Sequence, residues 1–247
     1  MHELTITQWI LAFCAAFLVG LSKSGIKGIN TLTVTILLVT FGGKASTGIL
    51  LPMLIMGDIM AVIYYKKHAQ WQYIYKLLPW MIIGVLLGVW IGEDMPEAVF
   101  KKAMAIIILG TVLMLFWWER RPIKNVPNQW WFAGIMGLGA GFTTMVGNLA
   151  GVFSNIFFLA MRLPKNAFIG TAAWLFFIIN LFKLPFHIFV WGTITTNSLT
   201  LNAKLIGGLL LGFYFGTRFI KIIKEQQFRH LILILTAIGA LAILWRS

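Results

Sequence analysis

The chain has 247 residues, 60% of them apolar and only 11% charged, with a mean hydropathy of +0.88. Soluble domains carry about 25% charged residues, so this composition excludes a water-soluble fold. Its apolar runs are continuous over ~20 residues or more, which excludes a β-barrel, whose strands alternate over ~10 residues. The net charge of +13 does not mark a nucleic-acid binder, because the Lys and Arg residues stand at the ends of apolar runs, where they anchor helices and set orientation.

In chain order the apolar segments are read at about 9–41, 45–65, 74–92, 99–118, 130–161, 166–191, 203–222 and 228–245. Met1-His2-Glu3 lacks a basic leader, so no signal peptide is read. The first segment is interrupted by Gly20-Leu21-Ser22-Lys23-Ser24-Gly25-Ile26-Lys27-Gly28. A charge at membrane depth costs roughly 2.5–3.5 kcal/mol, so lysine there is a functional-site signal. Cys14, the single cysteine, is read as apolar packing and forms no internal disulfide. The second segment carries Asp58 about 14 residues in. Glu119 to Pro127 is the longest polar break; it divides the chain into a first membrane repeat at 1–118, a connecting cytoplasmic loop at 119–129 and a second repeat at 130–247. The fifth segment is broken at Gly141-Phe142-Thr143-Thr144-Met145-Val146-Gly147-Asn148, and the sixth carries Thr171, Trp174, Asn180, Lys183 and Pro185. Trp71, Trp117, Trp118, Trp130, Trp131 and Trp191 are read as interfacial anchors.

The halves echo one another. Gly25 maps to Gly147, Gly48 to Gly170 and Asp58 to Asn180 at a separation of 122; Gly84, Gly88 and Gly92 map to Gly208, Gly212 and Gly216 at 124. If all eight segments cross, the basic residues divide nine against eight between the two sides. If the two broken segments enter and return on the same side, the division is twelve against five, the asymmetry of the positive-inside rule. The expected fold is therefore an all-α polytopic membrane protein of two inverted repeats, each a broken, re-entrant helical hairpin plus three transmembrane helices. The hairpin tips meet near mid-membrane and both termini lie outside the cytoplasm. The arms of the first hairpin, about 9–22 and 29–41, are ~20 Å long.

Free amides at a half-helix N-terminus suit anions. Lys23, Ser24, Gly25, Gly28, Gly147, Asn148, Thr171, Asn180 and Lys183 are the expected substrate-binding residues. Lys23 and Lys183 neutralise the anion, and the glycines and Asn148 supply close backbone or amide contacts. Ser22, Thr143 and Thr144 either donate to the anion or satisfy one another at a kink, and Lys27 either reaches the site or snorkels to the surface. Asp58 is either a proton carrier or one half of a structural ion pair. Thr171 and Trp174 are taken to share the helix face of Asn180 and to wall the same cavity. No zinc-type His or Cys spacing, nucleophile set or cofactor fingerprint stands out, so no enzyme, cofactor or metal is expected.

At these residues the chain resembles the sulfite exporter TauE/SafE family, also called the toluene sulfonate uptake permease family. The likeness runs over nearly the whole chain. It rests on Gly20 to Gly25, on Lys44-Ala45-Ser46-Thr47-Gly48 with the stretch from Leu51 to Asp58, on Asn148 to Gly151, and on Gly170 to Trp174 continuing to Pro185. Where relatives often have a proline after each glycine-rich tip, Thr35 and Val152 stand here. The resemblance implies a secondary transporter of a small sulfur oxyanion such as sulfite, a sulfonate or thiosulfate. The alternatives are an anion channel, a carrier of a small carboxylate, and a membrane-embedded enzyme or non-transporting subunit. The expected setting is a multi-pass position in the cell membrane, the inner membrane of a bacterium. The expected partners are a small anion and the lipid bilayer, with no nucleic acid; a homodimer is left open.

Overall fold

A computed structural model describes residues 4–26, 28–104, 106–107, 110, 130–224 and 227. Lys27, Trp117, Trp118, the loop 119–129 and the segment 228–245 lie outside the described residues. Every regular element among the described residues is helical: α1 (Ile6–Lys23), α2 (Asn30–Phe41), α3 (Gly43–Tyr65), α4 (Trp71–Glu93), α5 (97–104), α6 (Trp130–Gly147), α7 (Ala150–Ala160), α8 (Lys165–Pro185) and α9 (Thr196–Ile222). Capping boxes start α1 at Thr5 with Gln8 and α9 at Thr195 with Ser198, satisfying end amides that an apolar surrounding would leave unpaired. A 3₁₀ turn, Lys66–His68, extends α3. Past Pro185, which has no N–H to donate, α8 continues as a π-helical turn, Phe186–Val190.

Among the described residues, α1, α3, α4, α8 and α9 are long and apolar enough to cross a bilayer, which makes the chain a multi-pass membrane protein. Helices α2 and α7 are not: at 1.5 Å per residue they reach about 18 and 16 Å, against a hydrocarbon core of ~30 Å. Large apolar side chains such as Ile63, Trp90, Phe189 and Ile222 point outward, as lipid requires. Cys14 also faces outward, a departure from its expected place in the packing.

Contacts fix the direction of each helix. The start of α3 lies at the end of α8: Gly48 packs on the backbone of Thr193, and Lys44 Nζ donates to Glu93 O at 3.0 Å. At the opposite end of the bundle Gly170 packs on Tyr65 and Ala69, and Lys165 Nζ donates to Ile223 O at 2.6 Å. Helix α1 runs beside α9 in the same direction, with Phe13 at Gly208, Phe17 at Gly212 and Ser24 at Gly216. Helix α6 runs beside α4 in the same direction, with Leu77 and Trp80 at Gly137, Met81 at Gly141 and Gly88 at Met145. Small residues allow these close backbone approaches in lipid. The pair α1–α2 thus starts and finishes at the end of the bundle where α3 begins. The pair α6–α7 starts and finishes at the other end, where Tyr73 meets Phe157 with ring centroids 6.2 Å apart. One apolar core gathers around α4, α6, α7 and α8, the other around α1, α2, α3 and α9.

Trp191, read as an interfacial anchor, sits half-buried at the end of the bundle after the π turn. Gly92 leaves room for its indole, which lies 5.7 Å from the Phe100 ring and donates to Val89 O at 3.4 Å.

Candidate functional site

Both helix pairs break where the chain must turn inside the bundle. At the first tip Gly25 N donates to Ser22 O and Ile26 N to Leu21 O, the Schellman pattern that closes a helix on a left-handed residue. Gly25 holds φ +126° there, with Ile169 and Ile220 against it, so both the conformation and the space call for glycine. The next left-handed residue, Gly28 (φ +97°), leads into α2. At the second tip the left-handed residue is Asn148 (φ +56°) rather than Gly147, the expected mate of Gly25. Asparagine enters this conformation more readily than most residues, and here its amide is held by Lys183 and Thr47 from elsewhere in the bundle.

The tips bring buried polar groups together in two linked sets. Lys23 ends α1 and its Nζ donates to Asp58 Oδ1 at 2.5 Å, while Asn180 Nδ2 donates to Asp58 Oδ2 at 2.7 Å. Asp58 is fully buried and Lys23 is 5% exposed, with the ammonium 5.4 Å from the centre of the Phe176 ring, within cation–π range. The second set surrounds Lys183. Its Nζ donates to Thr144 O at 2.8 Å, Thr144 Oγ1 at 3.0 Å and Asn148 Oδ1 at 2.6 Å. Asn148 Nδ2 donates to Thr47 O at 3.3 Å. A single hydrogen bond joins the tips in the described residues: Asn30 Nδ2 donates to Asn148 O at 2.9 Å.

A cavity of about 40 Å³ lies between the tips. Its walls include Ser22, Lys23, Gly28 and Asn30 from the first hairpin and Thr144, Asn148, Ala150, Gly151 and Asn155 from the second. Leu54, Phe176 and Asn180 close it. Two half-helices, α2 and α7, therefore point their N-termini at one small space, and these ends carry partial positive charge. The opposing C-terminal ends of α1 and α6 each have a lysine against them, Lys23 in the last turn of α1 and Lys183 on the Thr144 carbonyl. The cavity thus presents an electropositive, amide-rich surface inside an apolar bundle.

Of the expected site residues, Lys23, Gly28, Asn148 and Asn180 line this cavity. The others stand outside its walls. Ser24 turns its carbonyl to the Tyr65 hydroxyl at 2.6 Å, Gly25 packs on Ile169, and Gly147 packs near Met104. Lys183 stands behind the second tip and Asp58 behind Lys23. Thr171 lies at the end of the bundle and accepts from Gln70 N at 2.9 Å; the Trp174 ring lies 5.2 Å from that of Trp71, tilted by 47°. At about 100° per residue, the nine positions between Thr171 and Asn180 place them on opposite faces of α8, so the shared wall expected for them does not exist. Asn30, Asn155 and Phe176 are wall residues that sequence reasoning missed. The signal for the carboxamides was present: both are amides in apolar runs, and Asn155 stands 122 positions after Thr33 (155 − 33), the repeat separation.

A second cavity, about 270 Å³, opens at the end of the bundle where α3 finishes. Lys165, Lys221, His68 and Tyr65 line it. The bond from Tyr65 to Ser24 lies between this basic vestibule and the first tip.

A family model described as Sulfite exporter TauE/SafE matches residues 11–243, nearly the whole chain. No curated protein and no solved structure matches it.

Proposed function

The chain belongs to the sulfite exporter TauE/SafE family, whose members are membrane transporters and not enzymes, and on that premise we propose that it carries a small sulfur oxyanion, bound in the cavity between the two hairpin tips. The observation that carries this reading is the convergence of two half-helix N-termini and the Lys23 ammonium on one small cavity. An anion there competes with Asp58 for Lys23, whose flexible stem reaches either partner. Asp58 keeps its hydrogen bond from the Asn180 amide when Lys23 turns to the anion, which lowers the cost of leaving its buried carboxylate without the ammonium.

The access route follows from the hairpins. With α1–α2 entering from one end and α6–α7 from the other, each tip bars the cavity from one side, as expected of inverted repeats. Movement of one hairpin against the bundle breaks the Asn30–Asn148 bond and the Tyr65–Ser24 bond and opens that side. Lys66, Lys67, Lys76, Arg162, Lys165, Arg218, Lys221 and Lys224 gather toward the end that bears the basic vestibule; Lys44, Lys101, Lys102 and Lys204 stand toward the other. The positive-inside rule assigns the first end to the cytoplasm and puts the start of α1 outside.

The test is uptake of radiolabelled sulfite into proteoliposomes. Saturable uptake above protein-free vesicles, lost in Lys23→Gln, is the expected result. Uptake that survives Lys23→Gln overturns the placement of the site.

A further inference from the structure

Resting on the reading above, the wall of the cavity says more about its occupant: we infer that it selects an oxyanion that still carries an acidic proton, hydrogen sulfite in its O–H form, over sulfite dianion or a sulfonate, so that anion and proton cross together.

Two observations carry this. Asn30 Oδ1 and Asn155 Oδ1 are buried and have no hydrogen-bond donor among the described residues. Both residues line the cavity. The amide of Asn30 is oriented by its Nδ2, which donates to Asn148 O, so the atom left over is an acceptor. An oxyanion without a proton has only acceptors to offer these oxygens, and a buried acceptor facing another acceptor loses free energy. An O–H group donates to one of them while the remaining oxygens face Lys23 and the helix N-termini.

Charge gives the same answer. Among the described residues, the ionisable groups packed around the site are Lys23 on α1, Asp58 and Tyr65 on α3, and Lys183 and His187 on α8 with its π turn. Tyr65 and His187 are turned to Ser24 O and Thr193 Oγ1. Among the described residues, two ammonium groups against one carboxylate leave a single positive charge, the complement of a monoanion. Size agrees: at ~10–15 Å³ per water, the cavity admits an ion as small as hydrogen sulfite and no aryl group. The coupling proton then rides on the substrate, and Asp58 is the counter-ion of Lys23 instead of a proton carrier.

The experiment measures initial uptake of radiolabelled sulfite by the full chain in proteoliposomes across pH, in Na⁺-free and Na⁺-containing buffer. Above the pKa of hydrogen sulfite, KM in total sulfite rises about tenfold per pH unit, while KM in hydrogen sulfite stays constant. Asp58→Asn keeps that slope. Methanesulfonate, a monoanion without an O–H, competes at least about tenfold less well, and Asn155→Leu narrows the gap. A KM constant in total sulfite overturns the inference, as does equal competition by methanesulfonate. A slope that vanishes in Asp58→Asn returns the proton to Asp58, and an absolute need for Na⁺ assigns the two amide oxygens to a cation; each also overturns it. Absence of saturable sulfite uptake at every pH removes the proposed function itself, a result distinct from all of these.

Discussion

Removing Lys23 has two consequences that a double substitution separates. The ammonium and the Asp58 carboxylate are 2.5 Å apart in a site with almost no exposure. Lys23→Met takes the cation away and leaves a buried carboxylate with the Asn180 amide still bonded to it. Breaking a buried pair in this way costs about 3–5 kcal/mol. At ~2–4 °C per kcal/mol for a chain of this size, the melting temperature falls by about 6–20 °C. Adding Asp58→Asn removes the orphaned charge and keeps an acceptor for Asn180, so the double variant returns to within ~1 kcal/mol of the parent. Intrinsic fluorescence in detergent micelles, read from the 11 tryptophans, follows the unfolding of all four members of the cycle. Sulfite uptake is measured on the same preparations. The expected outcome is recovery of stability without recovery of transport, because the double variant has a sound bundle and no cation at the cavity. Transport that returns with stability refutes the argument, since Lys23 is then only a structural partner of Asp58. A Lys23→Met protein as stable as the parent refutes the ion pair.

Lys183→Met leaves Asn148 Oδ1 and Thr144 O without their ammonium donor. At about 1–3 kcal/mol for an unsatisfied buried group, the melting temperature falls by roughly 2–12 °C. Amide hydrogen exchange rises around 144–152 more than around 24–32; equal protection at both tips shows that Lys183 does not hold the second one. The orientation of the hairpins is tested in a Cys14→Ser background: Ala45→Cys reacts with an impermeant maleimide added outside, and Lys67→Cys only after the cytoplasmic face is opened. The same side for both contradicts the proposed insertion.

The parts of the site legible in the sequence were those set by local chemistry. Glycine and lysine inside an apolar run announced the first tip, and the equal spacing of Gly48 with Gly170 and Asp58 with Asn180 is the sequence signal behind the proposed repeat. The second tip lies within the break read from Gly141 to Asn148, but its left-handed residue is Asn148 and not Gly147, the mate of Gly25. What lay beyond sequence was the direction of long side chains. Lys23 reaches across 35 positions to Asp58, and Lys183 turns its three bonds onto the second tip and away from the cavity. The same holds for Asn30, whose one amide both ties the tips together and leaves an acceptor in the wall. Helix periodicity, applied strictly, would have removed Thr171 from the candidates; the rest needed the packed bundle.

Asp58 and Asn180 are repeat mates, and they bond to each other across a separation of 122. Residues related by a two-fold rotation meet only on its axis, so under the proposed inversion this pair marks the centre of the molecule. The frame around it is matched, with Gly48 against Thr193 answering Gly170 against Ala69, and α1 on α9 answering α6 on α4. The chemistry at the centre is not matched. The mate of Lys23 is Met145 and the mate of Lys183 is Ala61, both buried. A fully symmetric centre would hold two carboxylates or two amides, and lysines in pairs. One Asp facing one Asn, with two unmatched lysines, leaves an odd positive charge among the described residues, the charge that the proposed monoanion would neutralise. A carrier that shows one site to both sides of a membrane needs equivalent backbones to close each side in turn. A site for one charge at the axis itself cannot be equivalent, so the symmetry has to fail among these side chains while it holds in the helices around them.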